Sequence, residues 1–176
     1  MSIMEATLQS DRILIRDITE SDTNAIFAYR SLDEIARFQY WEPYTREQTQ
    51  EFINRCKNPD LSKRGEWLGF AIIYKKNNTL IGDCALKIND KSAEIGCNIS
   101  PIYQGKGFAK EVLKILISYF FNNIGIEEVY GITDSENKAS VRLMKSVGMI
   151  RLTEFEEKFI CKGIECIEHK YLIRDI

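Results

Sequence analysis

The chain has 176 residues, of which 44% are hydrophobic and 28% are charged, and its formal net charge is −2. This length suits one domain with a buried core, expected to cover residues 1–176, and the charge argues against a basic nucleic-acid-binding surface. Five cysteines without a CxxC pair and a single histidine argue against a disulfide framework and a metal cluster. They favour a reducing, cytoplasmic setting. No signal-peptide pattern and no apolar run of about 18 residues is seen, so no membrane insertion is expected.

The first half of the chain predicts a strand, two helices and three further strands. Ile13 and Ile15 alternate as in a short strand, and Thr19 or Ser21 can cap the helix that follows. An aromatic loop containing a proline precedes the second helix, which is expected from about Thr45. Three antiparallel strands come next, over 66–74, 79–88 and from about residue 93 to 100.

The second half predicts helix, strand, helix and two strands. The apolar residues of 107–123 recur at helical spacing, and Gly148 is placed to end the later helix. The remaining predicted elements are a strand over 127–134, a helix over 137–148, and strands over 149–160 and 165–173. This order indicates one α/β domain of α+β character, with a mixed, mostly antiparallel sheet flanked by helices.

A glycine-containing stretch, Gln104–Ala109, joins a predicted strand to the long helix. A helix start offers unpaired N–H groups, and glycine leaves them open to a phosphate. Nearby lysines add positive charge, so a pyrophosphate is the expected guest. The alternative is an ordinary turn before a core helix. The chain lacks GxxxxGK[ST] and an N-terminal GxGxxG, which argues against a P-loop and a Rossmann fold.

This stretch resembles the acetyl-CoA-binding motif of the GNAT acetyltransferases, Gln/Arg-x-x-Gly-x-Gly/Ala, through Gln104, Gly107 and Ala109. A second stretch resembles the motif that follows it in the family, Asn-x-x-Ser-x-x-Leu, then a glycine and an apolar residue. The matching residues are Asn137, Ser140, Leu143, Gly148 and Met149, where the family more often has Phe in place of Met149. The opening LQSDRILIRDITESD resembles the branch that includes ribosomal-protein N-terminal acetyltransferases.

The resemblance implies splayed central strands that take the pantetheine arm of acetyl-CoA between them. The first helix start holds the pyrophosphate, and the second motif lies on the pantetheine side. The residues expected to hold acetyl-CoA are Asn98, Ile99, Ser100, Gln104, Gly105, Lys106, Gly107, Phe108, Ala109, Lys110, Asn137 and Ser140. Backbone near Asn98 and Ile99 is expected to stabilise the developing oxyanion.

The catalytic side chains suggested by the resemblance are Ser140, as the acid for the leaving thiolate, and Glu94, as the base acting through water. Ser140 can instead bond only backbone or pantetheine, and Glu94 can be a solvent-facing strand residue. The family's commonest acid is a Tyr in the second motif, which this chain lacks; Tyr130 lies on the preceding strand and can be a core residue. Glu66 is a weaker candidate base. Cys97 is interpreted as packing, because no histidine is near it in sequence.

The aromatic loop lies where the family builds its acceptor cleft, which makes Tyr40 and Trp41 candidate acceptor contacts, with core filling as the alternative. The expected function is direct transfer of an acetyl group from acetyl-CoA to a primary amine, first of all a protein N-terminal α-amine such as that of a ribosomal protein. A polyamine, an amino acid or an antibiotic amine is the alternative acceptor. A non-catalytic acyl-CoA-binding module and a nucleotide-phosphate binder are the rival functions. The sequence leaves open whether the chain is a monomer or a homodimer.

Overall fold

A single seven-stranded sheet organises the computed structural model, which describes residues 8–175. Its strand order is β1-β2-β3-β4-β5-β7-β6, and β4 with β5 is the parallel pair. The strands are β1 Ile13–Asp17, β2 Trp67–Tyr74, β3 Thr79–Ile88, β4 Ser92–Ile99, β5 Glu128–Asp134, β6 Ile150–Cys161 and β7 Ile164–Arg174. The helices are α1 Thr23–Arg30, α2 Asp33–Ala36, α3 Arg46–Cys56, α4 Phe108–Tyr119 and α5 Lys138–Ser146.

The predicted α/β architecture is confirmed, and the seven predicted strands occur at the expected places along the chain. Local chemistry explains where several helices start. Thr45 caps α3 by accepting a hydrogen bond from the Gln48 N–H at 3.2 Å. Thr19 closes a 3-10 turn instead of α1, so α1 starts only at Thr23. The four-residue helix α2 was not predicted, and the long helix ends its regular part at Tyr119, where a π turn takes over.

Two hydrophobic clusters lie on opposite faces of the sheet. Alternation along β2 sends Phe70 and Ile72 to one face and Ala71 and Ile73 to the other. The first face is covered by α4 and the second by α1 and α3. We call them the α4 face and the α1 face. Each face therefore has its own packed layer, and the sheet separates them.

The centre of the sheet is held together over a short length only. β4 and β5 pair at Ser92 with Glu128, Ala93 with Val129, and Glu94 with Tyr130, and they separate beyond that point. β3 continues to support β4 as far as Ile99, and β7 supports β5 as far as Asp134. The result is an opening, the β4–β5 gap, between residues 95–99 and 131–134. The splayed strands implied by the family resemblance are confirmed.

Candidate functional site

The backbone of β4 presents polar groups to the β4–β5 gap. The N–H of Ser100 donates to the carbonyl of Ile81 at 2.8 Å, so Ser100 is turned toward β3. Antiparallel alternation then turns the backbone of Asn98 toward β3 as well, and turns Cys97 and Ile99 toward the gap. Of the two residues expected to offer backbone N–H groups, Ile99 thus faces the gap, whereas Asn98 presents its side chain to the α1 face.

The start of α4 lies at the open end of the gap. Gly105 and Gly107 have φ values of +72° and +81°, in the left-handed region that glycine adopts without strain. No side chain caps the helix at Gly107, which leaves the N–H groups of the first turn open. A Cβ placed on Gly105 would meet no atom within 4 Å. This open, uncapped helix start fits a pyrophosphate, with Gln104 anchored nearby through its side-chain amide, which donates to the Ile99 carbonyl at 2.9 Å.

Arg12, just before β1, supports the same loop. Its guanidinium donates to the Lys106 carbonyl at 3.2 Å and to the Glu111 carboxylate at 2.8 Å, and it stacks 4.5 Å from the centre of the Phe108 ring. Burial alone would raise the pKa of Glu111, but hydrogen bonds from Ser10 and Arg12 outweigh it and lower that pKa. Sequence reasoning missed Arg12, because its contacts reach across almost a hundred residues and no local pattern signals them.

The second motif lies at the start of α5, directly after β5. The Asn137 side chain caps α5 by accepting a hydrogen bond from the Ser140 N–H at 3.2 Å. The Ser140 hydroxyl is half-buried and makes no hydrogen bond to any residue of the described chain, 8–175. The Ser140 hydroxyl therefore has no partner within the described chain, whereas the side-chain oxygen of Asn137 is occupied by the helix cap.

The candidate base Glu94 lies at the closed end of the gap, on the α1 face. Its carboxylate forms an ion pair with Lys87 at 2.9 Å, and its side chain is 13% exposed. Tyr130, its partner on β5, has a raised pKa, first because it is buried and second because Glu94 is close. Lys170 lies 3.9 Å above the Tyr130 ring. Glu66 is exposed and pairs with Lys63 at 3.2 Å.

The aromatic loop between α2 and α3, residues 37–45, lies on the α1 face and is called the acceptor loop below. Tyr40 is 70% exposed, its ring lies 5.8 Å from Phe159 of β6, and its hydroxyl donates to Glu168 of β7. Trp41 points inward and packs 4.7 Å from the Arg30 guanidinium and 4.8 Å from Tyr44. Of the two candidate acceptor contacts, only Tyr40 reaches the open surface, and Trp41 fills the space under the loop.

A buried polar network beneath the acceptor loop has no counterpart in the sequence predictions. Arg30 donates to both oxygens of Asp83, at 2.9 and 2.7 Å, and Asp83 is 1% exposed. Tyr29 also donates to Asp83 through its hydroxyl. The amide of Asn98 donates to Asp83 at 3.3 Å and accepts from Gln39 of the acceptor loop at 3.2 Å. The buried charge is thus fully hydrogen-bonded, as a buried ion pair must be.

Three carboxylates form a row on the α1 face beside Tyr40. Asp134, Glu168 and Glu157 are cross-strand partners on β5, β7 and β6, so their side chains share one face. Within residues 8–175 none of the three forms an ion pair, and the neighbouring Lys170 is paired with Glu128. Burial raises the pKa of Glu168; the Tyr40 hydrogen bond opposes this, and the charges of Glu157, Asp134 and Glu94 add to it. We call these three residues the acidic row.

Other chemistry receives little support from the described residues. All five cysteines are free thiols, and burial followed by the charge of Asp83 raises the pKa of Cys97 to about 12. Such a thiol is protonated at neutral pH, which fits the interpretation of Cys97 as packing. Among residues 8–175, no three or more His, Cys, Asp or Glu side chains are grouped as metal ligands. No helix in that range has the length and apolar character needed to cross a membrane.

Known proteins resemble the chain in both sequence and fold. The family described as acetyltransferase (GNAT) domain matches residues 12–150. The N-acetyltransferase YoaA of Bacillus subtilis is 34% identical over 80% of the chain and 81% of its own length. A GNAT-family acetyltransferase from Bacillus anthracis superposes with a TM-score of 0.83 at 25% identity, covering 95% of this chain and 97% of the other.

Two solved structures with named activities share the fold at lower identity. The Vibrio cholerae spermidine N-acetyltransferase, in complex with CoA and spermine, has a TM-score of 0.77 at 22% identity and covers 94% of this chain and 96% of its own. The ribosomal alpha-N-protein acetyltransferase RimL, in complex with coenzyme A, has a TM-score of 0.79 at 18% identity. The match covers 94% of this chain and 95% of that one. A curated spermidine N(1)-acetyltransferase of Vibrio cholerae is 23% identical over 94% of the chain and 95% of its own length. With its family motifs, uncapped α4 start and splayed strands, the chain belongs to the GNAT family of acetyl-CoA-dependent N-acetyltransferases.

Proposed function

We propose that this acetyltransferase acts on a primary amine of a small acceptor that carries further positive charge, such as a polyamine. The observation that carries the proposal is the acidic row on the α1 face, where the acceptor loop lies. Three carboxylates side by side without a cationic partner repel one another, and an acceptor with more than one ammonium group would relieve that repulsion. The exposed ring of Tyr40, next to Phe159, adds an aromatic surface that suits a cation.

The geometry of the gap supports a cofactor side for the proposed site. The first turn of α4 and its glycines would hold the pyrophosphate, with Lys106 and Lys110 nearby and Arg12 fixing the loop. The N–H groups of β4 that face the gap would pair with the pantetheine arm as a neighbouring strand does. When bound, acetyl-CoA supplies the thioester whose acyl carbon the acceptor amine attacks.

Groups of the chain would then accept the proton of the amine and stabilise the negative charge that develops on the thioester oxygen. One N–H group on the gap side of β4, that of Cys97 or that of Ile99, would donate to the thioester oxygen as negative charge builds on it. The carbon–nitrogen bond forms as the carbon–sulfur bond breaks, and the Ser140 hydroxyl would stabilise the leaving sulfur by donating a hydrogen bond. The amine must lose its proton, and Glu94 would accept it through water. An alkylammonium with a pKa near that of Lys, about 10.4, needs such a base.

The acceptor side is also supported by relatives of stated activity. Proteins named as spermidine acetyltransferases match nearly the whole chain in sequence and in fold. A second candidate acceptor is a protein N-terminal α-amine, which the exposed Tyr40 and the open depression next to it favour. That depression is lined by Tyr40, Glu157, Lys158 and Phe159. An α-amine, with a pKa of about 8, would need less help from a base.

The test is a thiol-release assay with acetyl-CoA and three acceptors: spermidine, butylamine and an uncharged peptide with a free N-terminus. We expect the highest kcat/KM with spermidine. Glu157→Gln should raise the KM for spermidine about twofold to fivefold, the effect of one accessible charge pair, and leave butylamine unchanged. The control is Glu165→Gln, which removes the same charge from the opposite face of β7.

Each outcome of this assay decides between acceptors. Equal kcat/KM for spermidine and butylamine, or a spermidine KM that does not respond to Glu157→Gln, would contradict recognition by the acidic row. A clear preference for the peptide would favour the N-terminal acceptor. Absence of thiol release with all three amines, from folded protein that binds acetyl-CoA, would remove both acceptor classes.

A further inference from the structure

The acceptor loop is tied to both sides of the β4–β5 gap. On one side, Gln39 donates to the side chain of Asn98 on β4 at 3.2 Å. On the other side, Tyr40 donates to Glu168 on β7, the strand that supports β5. Lys162, after β6, also donates to the Ala36 carbonyl at 2.8 Å. The loop is therefore tied through Gln39 and Tyr40 to strands on both sides of the gap, and the helix before it is tied at Ala36.

The orientation of Asn98 in this arrangement is dictated by its neighbour. A carboxylate can only accept, so the amide nitrogen of Asn98 must face Asp83, and its oxygen must face the loop. That oxygen needs a donor, which the Gln39 side chain provides. Asp83 is itself immobilised by Arg30, whose guanidinium lies 4.0 Å from the Phe52 ring and 5.0 Å from the Tyr44 ring. The core thus fixes which way Asn98 points.

The backbone at the same position borders the gap. Asn98 lies between Cys97 and Ile99, whose backbones face the gap and lack a paired strand there. A ligand that pairs with this edge would stiffen β4 at Asn98. We propose that Asn98 is a positioning residue whose side chain carries that change to Gln39, so that the acceptor loop is held more tightly across the gap when coenzyme A is bound. The inference rests on the proposed function in one respect, that coenzyme A occupies the gap.

Hydrogen exchange of the full chain, with coenzyme A as the probe, tests the proposal without relying on turnover. In the wild type, coenzyme A should slow exchange in the first turn of α4 and in the acceptor loop, by roughly three- to tenfold in the loop, the size of one net hydrogen bond. Gln39→Ala should abolish the effect in the loop and keep it at α4. Gln50→Ala is the matched control, because it removes a side-chain amide hydrogen bond, to Glu20 at 2.8 Å, on α3.

A conservative variant and acceptor kinetics distinguish positioning from simple destabilisation. Gln39→Lys keeps a donor of similar reach toward the Asn98 oxygen and should restore protection of the loop. Gln39→Ala should raise the acceptor KM by roughly three- to tenfold, the same factor as the change in loop exchange. It should leave kcat and the Kd of coenzyme A within twofold of the wild-type values.

Two results would go against this expectation, and they are distinguishable. Protection at α4 with a loop that does not respond to coenzyme A, or that responds equally in Gln39→Ala, would overturn the role of Asn98 and leave the cofactor site intact. Protection at neither place would overturn the proposed cofactor site, and the inference with it.

Discussion

The guanidinium of Arg12 donates a hydrogen bond to the backbone carbonyl of Lys106, although 94 residues separate them in the chain. The same side chain holds Glu111 and stacks on Phe108, so it contacts the glycine loop, the start of α4 and its first turn at once. A loop built on two left-handed glycines is otherwise costly to order, because glycine loses more conformational freedom than other residues. Arg12 therefore supports the shape of the proposed phosphate site, although it lies 94 residues earlier in the chain than Lys106.

Arg12→Ala should weaken binding of coenzyme A roughly three- to tenfold, because the loop loses its support and the site loses a positive charge; the side chain is partly exposed, which limits the effect. Isothermal titration calorimetry measures it. Arg64→Ala is the matched control, since Arg64 donates only to backbone carbonyls of its own loop. An unchanged Kd in Arg12→Ala would show that the loop keeps its shape unaided.

Gly107 tests whether the helix start is the phosphate site. Gly107→Glu should abolish measurable binding of coenzyme A, because it adds bulk and negative charge at the open first turn. Gly107→Asn separates this effect from backbone strain, because Asn tolerates the left-handed φ of +81° and adds no charge. We expect the Asn variant to fold and to bind more weakly than the wild type but more tightly than the Glu variant. Equal affinity in all three proteins would place the pyrophosphate elsewhere.

Ser140→Ala tests the proposed stabilisation of the leaving sulfur. We expect kcat to fall about tenfold to a hundredfold, at or below the lower limit of about a hundredfold for a proton-transfer group, because the hydroxyl would only donate a hydrogen bond to the sulfur. The melting temperature should be unchanged, because the hydroxyl bonds no described residue. The helix cap survives, since the Asn137 side chain bonds the Ser140 backbone. Ser146→Ala, at the other end of α5, is the control. A Ser140→Ala enzyme with full kcat would remove this hydroxyl from the chemistry.

Replacing Glu168 by Gln should raise the stability of the folded protein by an amount that depends on pH. Its pKa in the folded protein is raised, chiefly by burial, so between the ordinary Glu value of about 4.3 and the folded value the folded state binds more protons than the unfolded chain. Stability therefore falls as pH rises through this window. Glu168→Gln removes the charge and keeps an oxygen for Tyr40, so its melting temperature should exceed that of the wild type at pH 7. The difference should shrink toward pH 4.

A melting-temperature difference that is the same at both pH values would contradict this assignment. The acceptor KM of Glu168→Gln supplies the functional side of the same experiment. If the acidic row recognises a cationic acceptor, the variant that is more stable at neutral pH should also be the one with the higher KM. A carboxylate that lowers stability in the free protein would then be retained for binding.

The sequence was sufficient where local chemistry decides the structure. The Thr45 cap and the apolar spacing of α4 predicted helix starts within a few residues, and the glycines of Gln104–Ala109 indicated an anion site. The resemblance to the family motifs predicted the gap between the central strands. The cap, the apolar spacing and the glycine loop depend on neighbours within one or two turns of the chain, which is why a single sequence displays them.

The parts that were missed depend on contacts between distant segments. Asp83 lies in an apolar strand, and nothing near it in sequence shows that Arg30 neutralises it. Tyr40 and Trp41 are adjacent aromatic residues, and only packing on Arg30 shows that Trp41 is partly buried whereas Tyr40 is exposed. The acidic row is likewise assembled from three strands by register. Charge pairing and side-chain direction across the sheet could not be predicted from the sequence, because they are set by how distant segments pack in the fold.

The short pairing between β4 and β5 divides the sheet into two blocks of strands. Strands β1 to β4 form one continuous antiparallel meander, and β5 to β7 form a second block, joined in the sheet through three residue pairs at Ser92–Glu94 and Glu128–Tyr130. A cosubstrate that pairs with the exposed edge of β4 inside the gap would act as a removable eighth strand between the two blocks. The free protein should then unfold over a broader temperature range than its complex. During each turnover the bound cosubstrate would itself contribute to the stability of the sheet.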